Sequence, residues 1–245
     1  MPLSTKRLPT NALATELAAL VAVTGLAWRA QLELALSVWY PIKVAGLFSL
    51  VILLALRRLR GHHPFAHFGP ANQITTARAV LVVLVAGLIG EAAPPPVAAT
   101  AASAALAATM LDGLDGWLAR RTEMASAFGA RFDVEVDALL IQALAILTWQ
   151  YGKAGPWVLL SGLLRYGFVA AGWLLPWMRR PLAPTGRARV ICTVQTAALV
   201  VAIVPAVTPP RSTAVAALAL AALCYSFLID TWRLWRQAAQ SRWGT

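Results

Sequence analysis

Four aspartates within one 26-residue stretch are the side chains of this sequence most suited to chemistry: Asp112, Asp115, Asp133 and Asp137. The chain has only ten acidic residues among 245, and these four lie at the ends of two otherwise apolar segments. Ionised carboxylates in or beside a bilayer are costly, and they usually have a function. Carboxylate oxygens are the ligands that Mg²⁺ and Mn²⁺ prefer, and such ions commonly bridge phosphate groups. The cluster therefore predicts a divalent-metal site that acts on a phosphate-containing substrate.

The spacing places the four aspartates in two pairs on two helices. Residues three or four positions apart share a helix face, and the two pairs have these two spacings. A short connection, 121–127, would pack the helices antiparallel and bring the carboxylates into one cleft. A carboxylate there could accept the proton of an attacking hydroxyl. The alternative is a set of helix-end aspartates paired with Arg120 and Arg131, which explains a single aspartate better than two matched pairs. Residues with little or no side chain would let a nucleotide approach the backbone: Gly113, Gly116, Ala119 and Gly129.

Apolar segments must position these pairs. The chain is 59% hydrophobic and 13% charged, with a mean hydropathy of +0.67, whereas a soluble domain carries about 25% charged residues. Eight stretches approach the roughly 20 residues that a spanning helix requires. The sequence therefore predicts an all-α integral membrane protein, a bundle of about eight transmembrane helices. The predicted segments are 11–28, 40–56, 74–92, 97–119, 128–150, 155–177, 188–207 and 213–234.

Basic residues are concentrated in alternate connections between these segments. Most arginines precede the third segment, flank the connection between the fourth and fifth, precede the seventh or follow the eighth. The positive-inside rule then places both termini and the aspartate cluster on the cytoplasmic side. Because this topology accounts for the net charge of +11, we expect no nucleic-acid partner.

The aspartates belong to a longer pattern, D-x2-D-G-x2-A-R-x8-G-x3-D-x3-D, which resembles the signature of the CDP-alcohol phosphotransferases. Asn72, Thr75 and Arg78 are also similar to the Asn-x2-Thr-x2-Arg of that family. The resemblance implies a six-helix core over 67–245, preceded by an N-terminal pair of helices and a basic linker over 1–66. Every fixed position of the signature has its residue here: Asp112, Asp115, Gly116, Ala119, Arg120, Gly129, Asp133 and Asp137.

The resemblance also implies a reaction and the residues that carry it. A substituted phosphate would pass from a CDP-linked lipid, such as CDP-diacylglycerol, to a small alcohol, with release of CMP. The four aspartates would bind two divalent ions, Mg²⁺ or Mn²⁺, and Asp137 would also act as general base. Members of the family are usually homodimers among membrane lipids, and the bacterial inner membrane is the expected location. The CDP group would be bound by Asp112, Asp115, Gly116, Ala119, Arg120, Gly129, Asn72 and Thr75.

Three arginines in the second half of the chain are candidates for binding the acceptor. Arg165 lies inside the sixth segment, where a charge is costly and indicates a cavity or an anion. Arg187 and Arg189 begin the seventh segment. Together they would bind a phosphate on an acceptor such as glycerol 3-phosphate or an inositol phosphate. Ordinary topology-setting charge is the alternative for Arg187 and Arg189, and a neutral acceptor stays open.

A cation-coupled transporter is the second function class that four membrane aspartates could indicate. Transporters place such carboxylates near the middle of the membrane and are often built from internal repeats. The aspartates here lie at one end of adjacent segments, and the sequence shows no convincing repeat. The pattern therefore favours the enzyme.

Overall fold

The structure is a computed structural model that describes residues 10–62, 70–121, 127–179 and 185–243. Regular structure within these ranges is entirely helical. Two short 3₁₀ helices, Pro156–Leu159 and Pro176–Arg179, flank the sixth α-helix. The α-helices are α1 Thr10–Glu33, α2 Trp39–His62, α3 Pro70–Gly87, α4 Pro95–Arg121, α5 Ala127–Gln150, α6 Leu160–Leu174, α7 Gly186–Ile203 and α8 Arg211–Trp243.

Most of these helices are apolar enough for a membrane environment. Within the described ranges, α2 and α3 carry shorter apolar stretches, Trp39–Ala55 and Asn72–Gly87, and the first half of α5 carries three acidic residues. Large apolar side chains remain exposed, as Leu174 does at 82%, because lipid rather than protein covers them. The predicted all-α membrane class with about eight helices is confirmed. Five stretches are long and apolar enough to cross a bilayer: Leu13–Glu33, Pro95–Leu114, Pro156–Leu174, Gly186–Ile203 and Arg211–Gln240.

The chain forms two compact units, Met1–Ala143 and Leu144–Thr245. In the first unit, α3 is central, because α1, α2 and α4 all contact it. The Thr76 hydroxyl on α3 donates a hydrogen bond of 2.9 Å to the buried Glu16 carboxylate on α1. The Tyr40 hydroxyl on α2 donates to the Leu84 carbonyl at 2.9 Å. The N-terminal pair of helices is thus packed directly on the first helix of the predicted core.

Small side chains allow α4 to lie close to α3. Ala101, Ala105 and Ala108 recur at helical spacing along α4 and are fully buried. Such small residues permit the close approach of membrane helices. The predicted boundary between residues 66 and 67 falls in 63–69, outside the described residues, so the division into an N-terminal pair and a core stays a prediction.

The second unit contains the end of α5 with α6, α7 and α8. The fully buried Gln195 on α7 donates a hydrogen bond of 3.0 Å to the Ser161 hydroxyl on α6. The Lys153 ammonium donates to the Val207 carbonyl at 2.7 Å, and the Lys153 carbonyl accepts from the Ser212 hydroxyl at 2.7 Å. This buried lysine therefore fixes the turn that leads into α8.

The sixth predicted segment, 155–177, is one apolar run but three structural elements. The α-helix covers only Leu160–Leu174, and a 3₁₀ turn lies at each end. Pro156 and Pro176 begin these turns. Proline has no backbone N–H to donate, so α6 ends before Pro176, whereas Pro156 stands at the first helical position, where no such donor is needed. Hydropathy records the apolar run but not these interruptions.

Candidate metal centre

Three of the four predicted aspartates meet in the structure. Asp112 lies in the second half of α4, while Asp133 and Asp137 lie one turn apart on α5. One carboxylate oxygen from each lies within 4.8 Å of the others. All three side chains are partly exposed, between 30% and 35%, so the cluster is open to a ligand. Two adjacent helices thus present acid groups to one point.

The other residues of the signature are placed less completely. Gly129 is half-buried on α5, one turn before Asp133. Asp115, Gly116, Ala119 and Arg120 lie on the last turns of α4, but the side chains of residues 115–120 are outside what the structure describes. Their predicted roles in binding metal and CDP stay predictions.

Arg78 is the cation that accompanies the three carboxylates. It lies on α3 and is only 1% exposed. Its guanidinium forms ion pairs with all three aspartates: Nη2 lies 3.0 Å from Asp112 Oδ1, Nη1 donates to Asp133, and Nη2 also donates to Asp137. The Arg78 Nε group donates to the Ala108 carbonyl at 3.2 Å. Charge-assisted hydrogen bonds of this kind are among the strongest in proteins, so one arginine connects α3, α4 and α5.

Sequence reasoning assigned Arg78 no role at this site. The signal was present, because a charged residue inside an apolar segment is costly unless it has a partner. The positions of its partners, 30 to 59 residues away along the chain, depend on helix packing. Asn72 and Thr75, the predicted CDP-binding residues of the same helix, are also buried, at 4% and 3% exposed.

The donor set suits a divalent cation. Oxygen ligands of one such ion at about 2.1–2.5 Å can lie up to about 4–5 Å apart, and the three aspartate oxygens fall within 4.8 Å. Carboxylate donors without nitrogen or sulfur ligands are typical of Mg²⁺, Mn²⁺ and Ca²⁺ sites. The residues present therefore fit a metal of this class. Arg78 contacts the same three carboxylates.

The arginines proposed for the acceptor lie in the second unit. Arg165 is half-buried in the first half of α6. Arg187 forms an ion pair with Asp230 on α8, with 2.5 Å between Nη2 and Oδ1. Arg189, two residues further along α7, is exposed. The ion pair between Arg187 and Asp230 joins two helices. Sequence pattern could not predict it, since Asp230 is 43 residues away along the chain.

Comparison with known proteins identifies one family. The family model for CDP-alcohol phosphatidyltransferase matches residues 68–232. No curated protein and no solved structure matches the chain significantly. The matched range contains the aspartate cluster, Arg78 and the three arginines of the second unit, whereas α1 and α2 precede it.

Proposed function

Since the chain belongs to the CDP-alcohol phosphatidyltransferase family, we propose that it transfers a phosphatidyl group from a lipid such as CDP-diacylglycerol to an alcohol in phospholipid biosynthesis. The proposed reaction requires a divalent metal and releases CMP. The observation that carries the proposal is the meeting of Asp112, Asp133 and Asp137 within 4.8 Å, inside the range that the family model matches. Met110, Leu114 and Val134, close in sequence to these aspartates, are exposed apolar side chains, and the acyl chains of the donor would remain in the surrounding lipid.

The metal centre of the proposal uses all four aspartates of the signature. Asp112, Asp115, Asp133 and Asp137 would hold two divalent ions, Mg²⁺ or Mn²⁺. Bound there, the ions would neutralise the diphosphate of the donor and stabilise the departing CMP. Asn72, Thr75, Gly116, Ala119, Arg120 and Gly129 would orient the CDP group alongside.

The transfer itself needs a base and an aligned hydroxyl. In the proposed step, the Asp137 carboxylate accepts the proton of the acceptor hydroxyl as its oxygen attacks the phosphorus that carries the diacylglycerol group. A new O–P bond forms, the P–O bond to CMP breaks, and CMP leaves with the bonding electrons. A half-buried carboxylate at the edge of apolar helices suits this task, because it meets both lipid and aqueous substrates.

The acceptor of the proposal carries a phosphate, as glycerol 3-phosphate or an inositol phosphate does. Exposed Arg189 and half-buried Arg165 are the arginines we assign to that phosphate. Arg187 is a weaker candidate than the sequence suggested, because Asp230 already neutralises its guanidinium.

The decisive experiment supplies the purified protein with labelled CDP-diacylglycerol, Mg²⁺ or Mn²⁺ and a panel of alcohols. We expect CMP release and one labelled phospholipid, whose headgroup identifies the acceptor. Asp133→Asn and Asp137→Asn should lower CMP release by about a hundredfold or more. Glu33→Gln is the matched control, since it neutralises an exposed acid that pairs only locally with Arg29. Turnover at the wild-type rate in either aspartate variant would contradict the catalytic assignment.

A further inference from the structure

Arg78 contacts all three aspartates of the cluster, which lie on two different helices. We propose that Arg78 is the counter-cation of the metal-free site, and that its guanidinium competes with divalent ions for the carboxylates of Asp112, Asp133 and Asp137. The inference rests on the proposed metal centre and concerns how tightly that centre binds its metal ions. It makes Arg78 a positioning residue, because it acts on the substrate only through the aspartates.

The first argument is geometric. The planar guanidinium presents several N–H groups in a fixed fork, which matches carboxylates and can serve more than one at a time. Arg78 uses this fork to contact one aspartate on α4 and two on α5. The oxygens that it contacts belong to the three carboxylates that lie within 4.8 Å of one another. The guanidinium and a metal ion therefore require the same donor groups.

The second argument is electrostatic. Carboxylates this close repel one another, and the repulsion grows where water is partly excluded. A buried guanidinium relieves this repulsion, and the three carboxylates in turn offset the cost of a charged residue inside an apolar helix. The same positive charge opposes the entry of a divalent cation. Arg78 thus stabilises the cluster without metal and weakens metal binding.

Because Arg78 opposes metal binding, we expect the metal ion to bind together with the donor. The diphosphate of a CDP-linked lipid brings negative charge that can offset both the guanidinium and the metal ions. The wild-type site should therefore bind metal weakly alone and much more tightly when the donor is present. Removing the charge of Arg78 should reduce this difference.

The test measures Mn²⁺ binding by electron paramagnetic resonance of the free ion, with full-length protein in phosphatidylcholine nanodiscs. Titrations are run with and without CDP-diacylglycerol, and protein-free nanodiscs give the background. Arg78→Gln should bind Mn²⁺ at least about tenfold more tightly than wild type without donor. It should also gain less affinity than wild type when the donor is added. Arg29→Gln is the matched control, since it removes one exposed positive charge far along the chain from the cluster, and it should bind Mn²⁺ as wild type does.

Arg78→Lys keeps the test decisive if Arg78→Gln does not fold. Lysine retains a charge but lacks the planar fork, so its Mn²⁺ affinity should lie between those of wild type and Arg78→Gln. Unchanged or weaker Mn²⁺ binding in the folded variants would overturn the proposal, because a residue that only holds the aspartates in place would weaken binding when removed. If wild type binds no Mn²⁺ even with donor, the metal centre itself fails, which is a different result.

Discussion

Arg187 and Arg189 begin the same helix, but their surroundings differ. The Arg187 guanidinium pairs with Asp230 and lies 3.5 Å from the Ser226 carbonyl. Its side chain is 26% exposed and that of Asp230 is 19% exposed. Arg189 is exposed on the first turn of α7. One arginine therefore joins α7 to α8, while the other is available to a soluble ligand.

Substitution should separate these two roles. Arg187→Gln leaves a half-buried Asp230 carboxylate without its cation, so we expect it to lower stability by about 1–3 kcal/mol. Arg189→Gln should leave stability unchanged and raise the KM for a phosphate-bearing acceptor several-fold, without changing the KM for the CDP-linked donor. Thermal unfolding in detergent and steady-state kinetics measure the two effects. A KM for the acceptor that stays at the wild-type value in Arg189→Gln would remove this residue from the acceptor site.

Glu91 is a buried acid at the opposite end of α3 from the predicted CDP-binding residues. It lies in the connection after α3 ends and accepts hydrogen bonds from Lys43 Nζ at 2.6 Å, the Ser37 hydroxyl at 2.7 Å and the Ser37 backbone N–H at 2.9 Å. Burial alone would raise the pKa of Glu91, but the hydrogen bonds from Lys43 and Ser37 outweigh it and bring the pKa below its ordinary value of 4.5. This carboxylate therefore connects the α1–α2 turn to the α3–α4 turn.

The lowered pKa of Glu91 has a defined consequence for stability. A carboxyl whose pKa is lower in the folded state binds fewer protons there, so its contribution to stability is present above pH 4.5 and is lost as pH falls through the lowered pKa. Glu91→Gln should therefore reduce the unfolding temperature at pH 7, and the difference from wild type should shrink as pH falls below 4.5. Thermal unfolding across this range, with Glu33→Gln as the exposed control, provides the measurement. A difference independent of pH would show that the charge of Glu91 is not what stabilises the contact.

At the scale of the elements, α2 and α3 pack tightly at Gly87. A methyl group built there would lie 2.5 Å from Val44 Cγ2 and 3.0 Å from Tyr40 Cε2. Val44 and Tyr40 are both buried. A side chain at this position would require Val44, Tyr40 or the helices themselves to shift.

Gly87→Ala should consequently destabilise the first unit. Overpacking of this kind costs about 1–3 kcal/mol, which exceeds the gain of about 0.5–1 kcal/mol that alanine gives over glycine within a helix. Gly46→Ala on α2 is the matched control, since nothing lies within 4 Å of a methyl group there. The control should unfold at or slightly above the wild-type temperature. Equal unfolding temperatures for the two variants would mean that the contact at Gly87 relaxes without cost.

Sequence pattern predicted the helices better than their interruptions and contacts. Apolar length located the eight α-helices of the described ranges, because the bilayer sets that length, although α8 continues to Trp243, well past its predicted end at 234. Spacing also indicated that the Asp112 and Asp133–Asp137 helices would meet, since the residues share faces. Neither apolar length nor residue spacing identifies which residues pair with a buried charge in the folded protein. Arg78 could be recognised as costly but not assigned to three aspartates, and the pairing of Arg187 with Asp230 depends on how α7 and α8 pack.

At the scale of the whole molecule, charge and lipid together determine how the helices sit in the membrane. Arginines are concentrated in alternate connections between the predicted segments, including the one that flanks the aspartates, while the other connections carry few. The positive-inside rule predicts that such clusters lie in the cytoplasm. The proposed enzyme would gain from this orientation, because a soluble phosphate-bearing acceptor and released CMP would both be cytoplasmic.

Orientation can be tested by the accessibility of engineered thiols. Ala93 is exposed in the α3–α4 connection, and Ala130 is exposed on α5 near the aspartates. In a background with Cys192 and Cys224 replaced by serine, Ala93→Cys should react with a membrane-impermeant maleimide in intact cells. Ala130→Cys should react only after the cells are permeabilised, because the positive-inside rule places this end of α5 in the cytoplasm. Labelling of Ala130→Cys from outside would invert the orientation and place the proposed active site where no cytoplasmic acceptor could reach it.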